Sequence, residues 1–475
     1  MQPDTLRSLR QQLQSGTTTL PQILGGYLDR AAATRDLNIY VELYEEEARD
    51  RAEFLQQKFE ETPETVGRLF GAVLSIKDNI CHADHGVTGG SKILENYSSP
   101  FSATAVERLL AEDAIIIGRT NCDEFGMGSS TEKSVYGATK NPLDPTRVPG
   151  GSSGGAAASV AAGTCLAAIG TDTGGSVRQP AAFCNLVGLK PTYGRISRWG
   201  LLAYGSSFDQ VGTLTHTVED AALLLEIMAG ADAFDATVSY EPVPPAQTPK
   251  ATGPKRIALL AGTFETERTD PAIQAANDRY LSDLRAAGHH IETVPFDLLD
   301  YLVPTYYVLT TAEASSNLSR YDGVRYGYRH PEAADIHELY RKTRTEGFGQ
   351  EVKRRILLGT FVLSAGYYDA YYARAQRVRR LLRERLDAIL TDHDLIVLPV
   401  SPVLPWPLGG MDTNDPTTMY LADIYTVLPS LTGHPALAIP IGDRTTPVGV
   451  QVIGRRFGEA ELLGFCVTTS DKVEL

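Results

Sequence analysis

The sequence predicts an α/β protein built on a mixed, largely buried β-sheet covered by helices. Two observations carry this. Short apolar runs of strand length recur along the chain, and helical patterns alternate with them. Most of these runs are continuously apolar rather than alternating, as strands buried on both faces require.

The elements follow in order. The first 60 residues read as helical. Thr19 with Pro21 starts a helix that continues through Ile23, Leu28 and Ala31. A second helix covers residues 45–59, with charges on one face. Residues 72–76 form a strand that ends at Lys77; an amphipathic helix at 105–111 and a strand at 114–118 come next. From Gly118 to Arg198 the chain becomes rich in Gly, Ser, Thr and Ala and poor in charge. Small residues let backbones approach closely and let amides point at a ligand. Within this block residues 156–162 read as a small-residue helix, 165–169 as a strand, and Gly174-Gly175 as a turn. Residues 240–255 are proline-rich and are the best linker candidate. Beyond them strand 256–261, helix 271–287 and strand 290–295 make a βαβ-like unit that extends the same sheet. A long helix spans 367–390, and 394–400, 436–441 and 448–453 are further buried strands. There is no internal repeat.

Composition narrows the function classes. The 475 residues suffice for one large domain or two to three average ones. A net charge of −14 argues against a uniformly basic nucleic-acid surface. The N-terminus MQPDTLRSLRQQLQSG lacks the apolar core of a signal peptide, and no apolar run reaches membrane-spanning length, so no membrane association is expected. The five cysteines form no Cys-x-x-Cys pair and read as free thiols of a reducing compartment, the cytoplasm. His289 and His290 are adjacent in a strand, so their side chains diverge and do not chelate one ion; no metal site is expected.

Three segments carry the chemistry: Ser75 to Asn79, Gly150 to Gly155, and Gly170 to Pro180. Ser176 follows Thr-Gly-Gly and precedes a helix, where the backbone turns sharply. Preceding N–H groups can converge there on developing negative charge, and the helix N-terminus adds positive potential. A serine hydroxyl needs a base. No histidine stands in these segments. Lys77, at a buried strand end, is poorly solvated, which favours its neutral, basic form. Ser152, among glycines that allow tight packing, would carry a proton between Lys77 and Ser176. Each piece also has a plainer reading: Gly-Gly-Ser-Ser-Gly-Gly as a flexible loop or phosphate cradle, and a strand-end lysine as a surface charge.

Together these segments resemble the amidase signature family. The match covers nearly the whole chain, is densest from Gly71 to Phe208, and centres on Gly150 to Gly155 and Asp172 to Pro180. The resemblance implies one α/β/α domain over residues 1–475: a helical segment 1–65, a catalytic core 66–235, the linker 240–255, and the rest of the sheet with a helical insertion over 256–475. It implies Lys77 as base, Ser152 as bridging serine and Ser176 as the acylated serine, with Thr173, Gly174, Gly175 and Ser176 forming an oxyanion hole.

Longer stretches resemble one branch, the glutaminase (A) subunits of tRNA-dependent amidotransferases. They are residues 121–137, 141–155, 312–328, 351–360 and 364–372; general amidases do not usually share the last three. The resemblance implies glutamine hydrolysis. Arg355 would bind the α-carboxylate through a bidentate pair, Asp423 the α-ammonium, and Tyr306 would supply a hydroxyl, with Ser129 and Gly151 also at the substrate. Arg354 and Tyr307 stand as rivals to their neighbours, and both arginines also read as helix-surface cations. The resemblance further implies no cofactor in this chain. ATP and Mg²⁺ belong to a partner B subunit that amidates charged tRNA, and a small C subunit completes a heterotrimer. Ser430 and His434 depart from the branch pattern near Asp423 and bear on the pocket; Asn185 stands where glycine is common. The arginine-rich run 374–385 reads as a solvated helix face or an RNA or partner contact. Competing readings are a stand-alone amidase of a small amide and a glycine-rich binding module without activity.

Overall fold

The computed structural model describes residues 3–246, 253–264, 269–410 and 417–470. Its eleven strands are β1 (Tyr40–Leu43), β2 (Val73–Lys77), β3 (Ile115–Thr120), β4 (Ala167–Asp172), β5 (Val187–Lys190), β6 (Gln210–Thr215), β7 (Arg256–Leu260), β8 (His290–Val294), β9 (Leu395–Pro399), β10 (Ala436–Pro440) and β11 (Gly449–Ile453). They form one mixed sheet in the order β1-β3-β2-β4-β6-β5-β10-β11-β9-β7-β8. The parallel pairs lie in two groups, β3-β2-β4 and β9-β7-β8, joined by antiparallel strands. Every residue of β2, β4, β5, β6, β9, β10 and β11 is buried. This accounts for the continuous apolar runs, since both faces are covered.

Local signals agree where they are strong. The helix Leu20–Ala33 starts at Thr19 in a capping box with Gln22 and carries proline in its first turn. Asp270 caps the helix Pro271–Ala286. The parallel β7-β8 pair is the one expected around that helix. Of the proline-rich segment 240–255, residues 247–252 lie outside the described residues.

Three expectations are corrected. The N-terminal segment is not wholly helical: β1 lies between its helices and pairs antiparallel with β3. Tyr40 and Val41 suit a strand, and the edge of β3 offers free backbone partners. The helix expected over 367–390 instead begins as a π-helical turn, Asp369–Ala373, in which the Ala373 N–H donates to Tyr368 at 2.9 Å, followed by an α-helix, Arg374–Asp392. The arginine run on it is not a uniform solvated face either. Arg379 turns inward, donates to the Leu431 carbonyl at 2.8 Å and to Ser207 Oγ at 2.7 Å, and lies 4.1 Å from the Phe208 ring centre. Arg380 faces solvent.

The topology places the site. β2 and β4 are parallel neighbours, with Ile76 opposite Ile169, so Lys77 and Asp172 emerge at the same edge of the sheet. Loops beyond the carboxyl ends of parallel strands are where open α/β sheets bind ligands. The small-residue helix Gly154–Ala161, buried throughout, packs across both strands. The helices Leu302–Asn317 and Gln350–Leu363 pack on each other and close the site from the other side.

Candidate active site

Lys77 is the last residue of β2 and fully buried. Its Nζ donates to Ser152 Oγ at 2.8 Å, Ser153 Oγ at 2.9 Å and Thr171 Oγ1 at 3.0 Å. No carboxylate pairs with it among the described residues. Burial dominates and pushes the Lys77 pKa below that of an ordinary lysine, against the pull of Cys122, Asp123 and nearby aspartates. Three hydroxyls around a poorly solvated amine suit a group that moves protons rather than one that anchors a salt bridge.

The serine loop is set by close packing. A Cβ at Gly151 would lie 2.2 Å from Asp123 Oδ2, one at Gly155 2.3 Å from the Asn121 carbonyl, and one at Gly154 2.2 Å from Thr131 Oγ1. Only glycine fits there, which removes the flexible-loop reading of Gly-Gly-Ser-Ser-Gly-Gly. The Gly151–Ser152 peptide is cis. Gln179 clamps the loop, accepting from the Gly151 N–H at 2.9 Å and donating to the Ser129 carbonyl at 3.1 Å.

Ser176 sits on a turn at the end of β4, and its carbonyl accepts from the Ser153 N–H at 3.1 Å. Among the described residues the Ser152 and Ser176 hydroxyls share no hydrogen bond; the structure joins Lys77 to Ser152 and the two serine loops through backbone. The turn is braced by a buried ion pair. Arg178 grips Asp172 with Nε at 3.0 Å and Nη2 at 2.8 Å, and reaches Gln451 at 2.8 Å and Ser430 Oγ at 3.0 Å. Burial alone would raise the Asp172 pKa, but Arg178 more than offsets this and holds it below the usual carboxylate range.

The expectation that all four N–H groups from Thr173 to Ser176 serve an oxyanion hole needs one correction. The Gly175 N–H donates to Asp172 Oδ1 at 2.9 Å and is therefore already committed. The N–H groups of Thr173, Gly174 and Ser176 meet no acceptor among the described residues and remain available. Gly175 has φ of 131°, and a Cβ there would lie 2.2 Å from Thr426 Oγ1, so close packing as well as conformation demands glycine.

Tyr306 covers the turn, its hydroxyl 2.4 Å from where a Gly174 Cβ would be. Tyr307 instead stacks on Tyr420 at 3.8 Å, with Arg355 5.1 Å from its ring centre. Arg355 is buried among Tyr204, Tyr307 and Tyr420, which excludes the surface-cation reading for it. Its Nε donates to Glu351 Oε1 at 2.8 Å and its Nη1 to Tyr204 Oη at 2.7 Å. Arg354 is more exposed and pairs with the other oxygen of Glu351. Asp423 Oδ2 accepts from the Ser129 hydroxyl. Its Oδ1 is buried and accepts no hydrogen bond among the described residues. Burial raises the Asp423 pKa to about 7, with Ser129 and Arg355 pulling the other way. Thr426 ties this segment to the serine turn, its hydroxyl 2.8 Å from the Gly174 carbonyl.

The two departures near Asp423 point elsewhere. Ser430 accepts from Arg178 behind the serine turn, and His434 faces Asp387 at 3.2 Å. Asn185 has φ of 57°, which explains how it stands in for glycine, since asparagine tolerates the left-handed region. The motifs did not single out Ser153, Thr171, Gln179, Tyr204, Glu351 or Thr426. Only the Glu351–Arg355 pair, at i and i+4 on a helix, had a readable signal. A cavity of about 400 Å³ borders the site, lined by Glu124, Ser130, Lys133, Glu351 and Arg354 among others. Among the described residues no cluster of His, Cys, Asp and Glu is arranged to hold a metal ion.

An α/β sheet with a buried lysine–serine contact at its strand ends, beside a glycine turn bearing a second serine, defines a class. The chain belongs to the amidase family, whose model matches residues 22–463, and it is an enzyme of that family. It is 49% identical over 468 residues to the A subunit of the glutamyl-tRNA(Gln) amidotransferase of Chlorobium chlorochromatii, covering 98% of each chain. The crystal structure of the corresponding A subunit of glutamyl-tRNA(Gln) amidotransferase from Thermotoga maritima is 39% identical, with a TM-score of 0.75 over 91% of this chain and 93% of that one. A native peptide amidase from Stenotrophomonas maltophilia, 26% identical, superposes with a TM-score of 0.82 over 99% of this chain and 96% of that one.

Proposed function

We propose that this chain is the glutaminase subunit of a tRNA-dependent amidotransferase. One observation carries the reading. A lysine–serine set suited to cleaving an amide is tied through Thr426 to the segment of Asp423, a carboxylate whose second oxygen meets no partner among the described residues and which feels the charge of the buried Arg355. Glutamine offers a carboxamide for the first and an α-carboxylate and α-ammonium for the second.

In this reading neutral Lys77 accepts a proton through Ser152 as Ser176 attacks the glutamine carboxamide carbon. The tetrahedral oxyanion receives hydrogen bonds from the free N–H groups of Thr173, Gly174 and Ser176. The C–N bond breaks, the same lysine–serine path returns a proton to the leaving nitrogen, and ammonia departs. A γ-glutamyl ester remains on Ser176. Water, deprotonated along that path, releases glutamate and restores the serine. Arg355 holds the α-carboxylate, Asp423 with Ser129 the α-ammonium, and the Tyr306 hydroxyl faces the bound amino acid beside Gly174. The Gly151 backbone forms the pocket wall.

The ammonia passes to a partner B subunit, which uses ATP and Mg²⁺ to amidate Glu-tRNA(Gln), Asp-tRNA(Asn) or both. A C subunit completes the heterotrimer. This chain needs no cofactor for its half-reaction. Cys81, Cys122, Cys165 and Cys184 are buried free thiols, which suits the cytoplasm, and among the described residues no helix is long and apolar enough to cross a membrane.

The test is co-purification with the native partner subunits, followed by glutamine-dependent transamidation of both misacylated tRNAs. Glutamine hydrolysis should be slow for the chain alone and should rise with partner and charged tRNA. Rapid hydrolysis of many simple amides, indifferent to the partner, would instead establish a stand-alone amidase.

A further inference from the structure

The proposed chemistry leaves unused a largely buried segment that runs between the serine turn and Arg355. Residues 204–209 fold around one carboxylate, Asp209. Its Oδ1 accepts from the Thr173 hydroxyl at 2.6 Å and from the Gly205 N–H at 3.2 Å, and its Oδ2 from the Tyr204 N–H at 2.9 Å. Thr173 belongs to the oxyanion turn. The far end of Tyr204 belongs to the other site: its phenol oxygen accepts from Arg355 Nη1 at 2.7 Å and donates to Thr310 Oγ1 at 2.9 Å, which donates to the Tyr306 carbonyl at 2.8 Å. One unbroken path thus links the turn over which the amide reacts to Arg355 and to the backbone of Tyr306.

Asp209 is buried, and no cation pairs with it among the described residues. Burial raises its pKa to about 6, although three hydrogen bonds pull it down. A buried acid without a counter-charge is costly. Its hydrogen bonds run to the oxyanion turn and to the backbone of the residue that holds Arg355. A substrate gripped at both ends reacts only if the grips are correctly separated, and a misplacement of about 1 Å costs on the order of 10²-fold in rate.

We infer that Asp209 is a positioning residue that sets the separation between the oxyanion turn and the carboxylate-binding arginine. This rests on the glutaminase reading above. Asp209 touches no substrate atom; it acts through Thr173 at one end and Tyr204 at the other.

The experiment is steady-state glutamine hydrolysis by the complex with its partner subunits, comparing wild type with Thr173→Val, Tyr204→Phe, their double variant and Asp209→Asn. Thr173→Val should lower kcat with little change in KM, and Tyr204→Phe should raise KM with little change in kcat, each by about tenfold, as expected for one hydrogen bond to a charged group. Asp209→Asn should do both. Tyr204→Phe leaves the Tyr204 N–H bond to Asp209 in place, so any coupling to Thr173 must travel along residue 204 itself; the double variant should fall short of the product of the single losses by about threefold or more, the signature of residues joined in one network. The two single-hydroxyl deletions keep shape, so this cycle decides the matter even if Asp209→Asn does not fold. Single losses that multiply without coupling, or an Asp209→Asn enzyme within twofold of wild type in both constants, overturn the proposal. A wild-type complex that leaves glutamine intact overturns the glutaminase reading and this inference with it.

Discussion

The two ends of the candidate site are built in opposite ways. The lysine–serine end comes from one stretch of chain, Lys77 to Arg178, and is held by backbone: parallel strand ends, glycines without room for a Cβ, and a buried Asp172–Arg178 pair. The Arg355–Asp423 end is assembled from distant helices and loops, and is held by side chains: aromatic rings, Glu351, the Tyr204 and Thr426 hydroxyls, and Ser129. Backbone-built sites tolerate little change in residue type. Side-chain-built sites change more freely, so the two ends are expected to separate chemistry from substrate choice.

That contrast yields a ranking of effects. Ser176→Ala should abolish turnover, a loss on the order of 10⁴-fold or more in kcat, read by glutamine hydrolysis with the partner present. An unchanged rate would remove the triad assignment. Lys77→Ala should cost about 10²- to 10⁴-fold in kcat. Because burial depresses the lysine pKa, the wild-type kcat should fall as acid protonates Lys77; a flat acidic limb would count against lysine as the base.

Arg355→Ala should raise KM by roughly 10- to 100-fold with a smaller effect on kcat, since a charge-assisted contact worth about 1.5–3 kcal/mol is lost. Equal losses in kcat alone would break the division between the two ends. Asp423 sharpens it through pH. On the proposed glutaminase function its carboxyl, raised to about 7, must be ionised to hold the α-ammonium group. KM for glutamine should therefore rise about tenfold for each pH unit below 7 and level off above it. Asp423→Asn should flatten that KM limb and leave the acidic limb of kcat in place. At the small end, Arg380→Ala removes an exposed, solvent-screened pair with Glu384 and should leave the thermal unfolding midpoint unchanged within error.

The parts of the fold that could be read in advance had local causes. The capping box at Thr19, proline in the first turn of two helices, and the apolar runs of β2, β3, β9, β10 and β11 are each decided within a few residues. β5 (Val-Gly-Leu-Lys) and β6 (Gln-Val-Gly-Thr-Leu-Thr) were not legible: they are short and partly polar, and their pairing with β4 and β10 stabilises them. β1 escaped notice for the same reason, since its partner β3 lies far along the chain.

What the sequence by itself determined is the class of chemistry. Serines set among glycines and a lysine ending an apolar run are local patterns, because strand ends and tight turns are made by neighbouring residues. The tertiary structure alone decided how those patterns meet. It brought Lys77 within 2.8 Å of Ser152, committed the Gly175 N–H to Asp172, and buried Arg355 rather than Arg354. It also sent Ser430 and His434 away from the pocket and ran the Asp209 path from one end of the site to the other. These depend on distances between residues far apart in the chain, which are set only when the sheet closes and the helices pack against it.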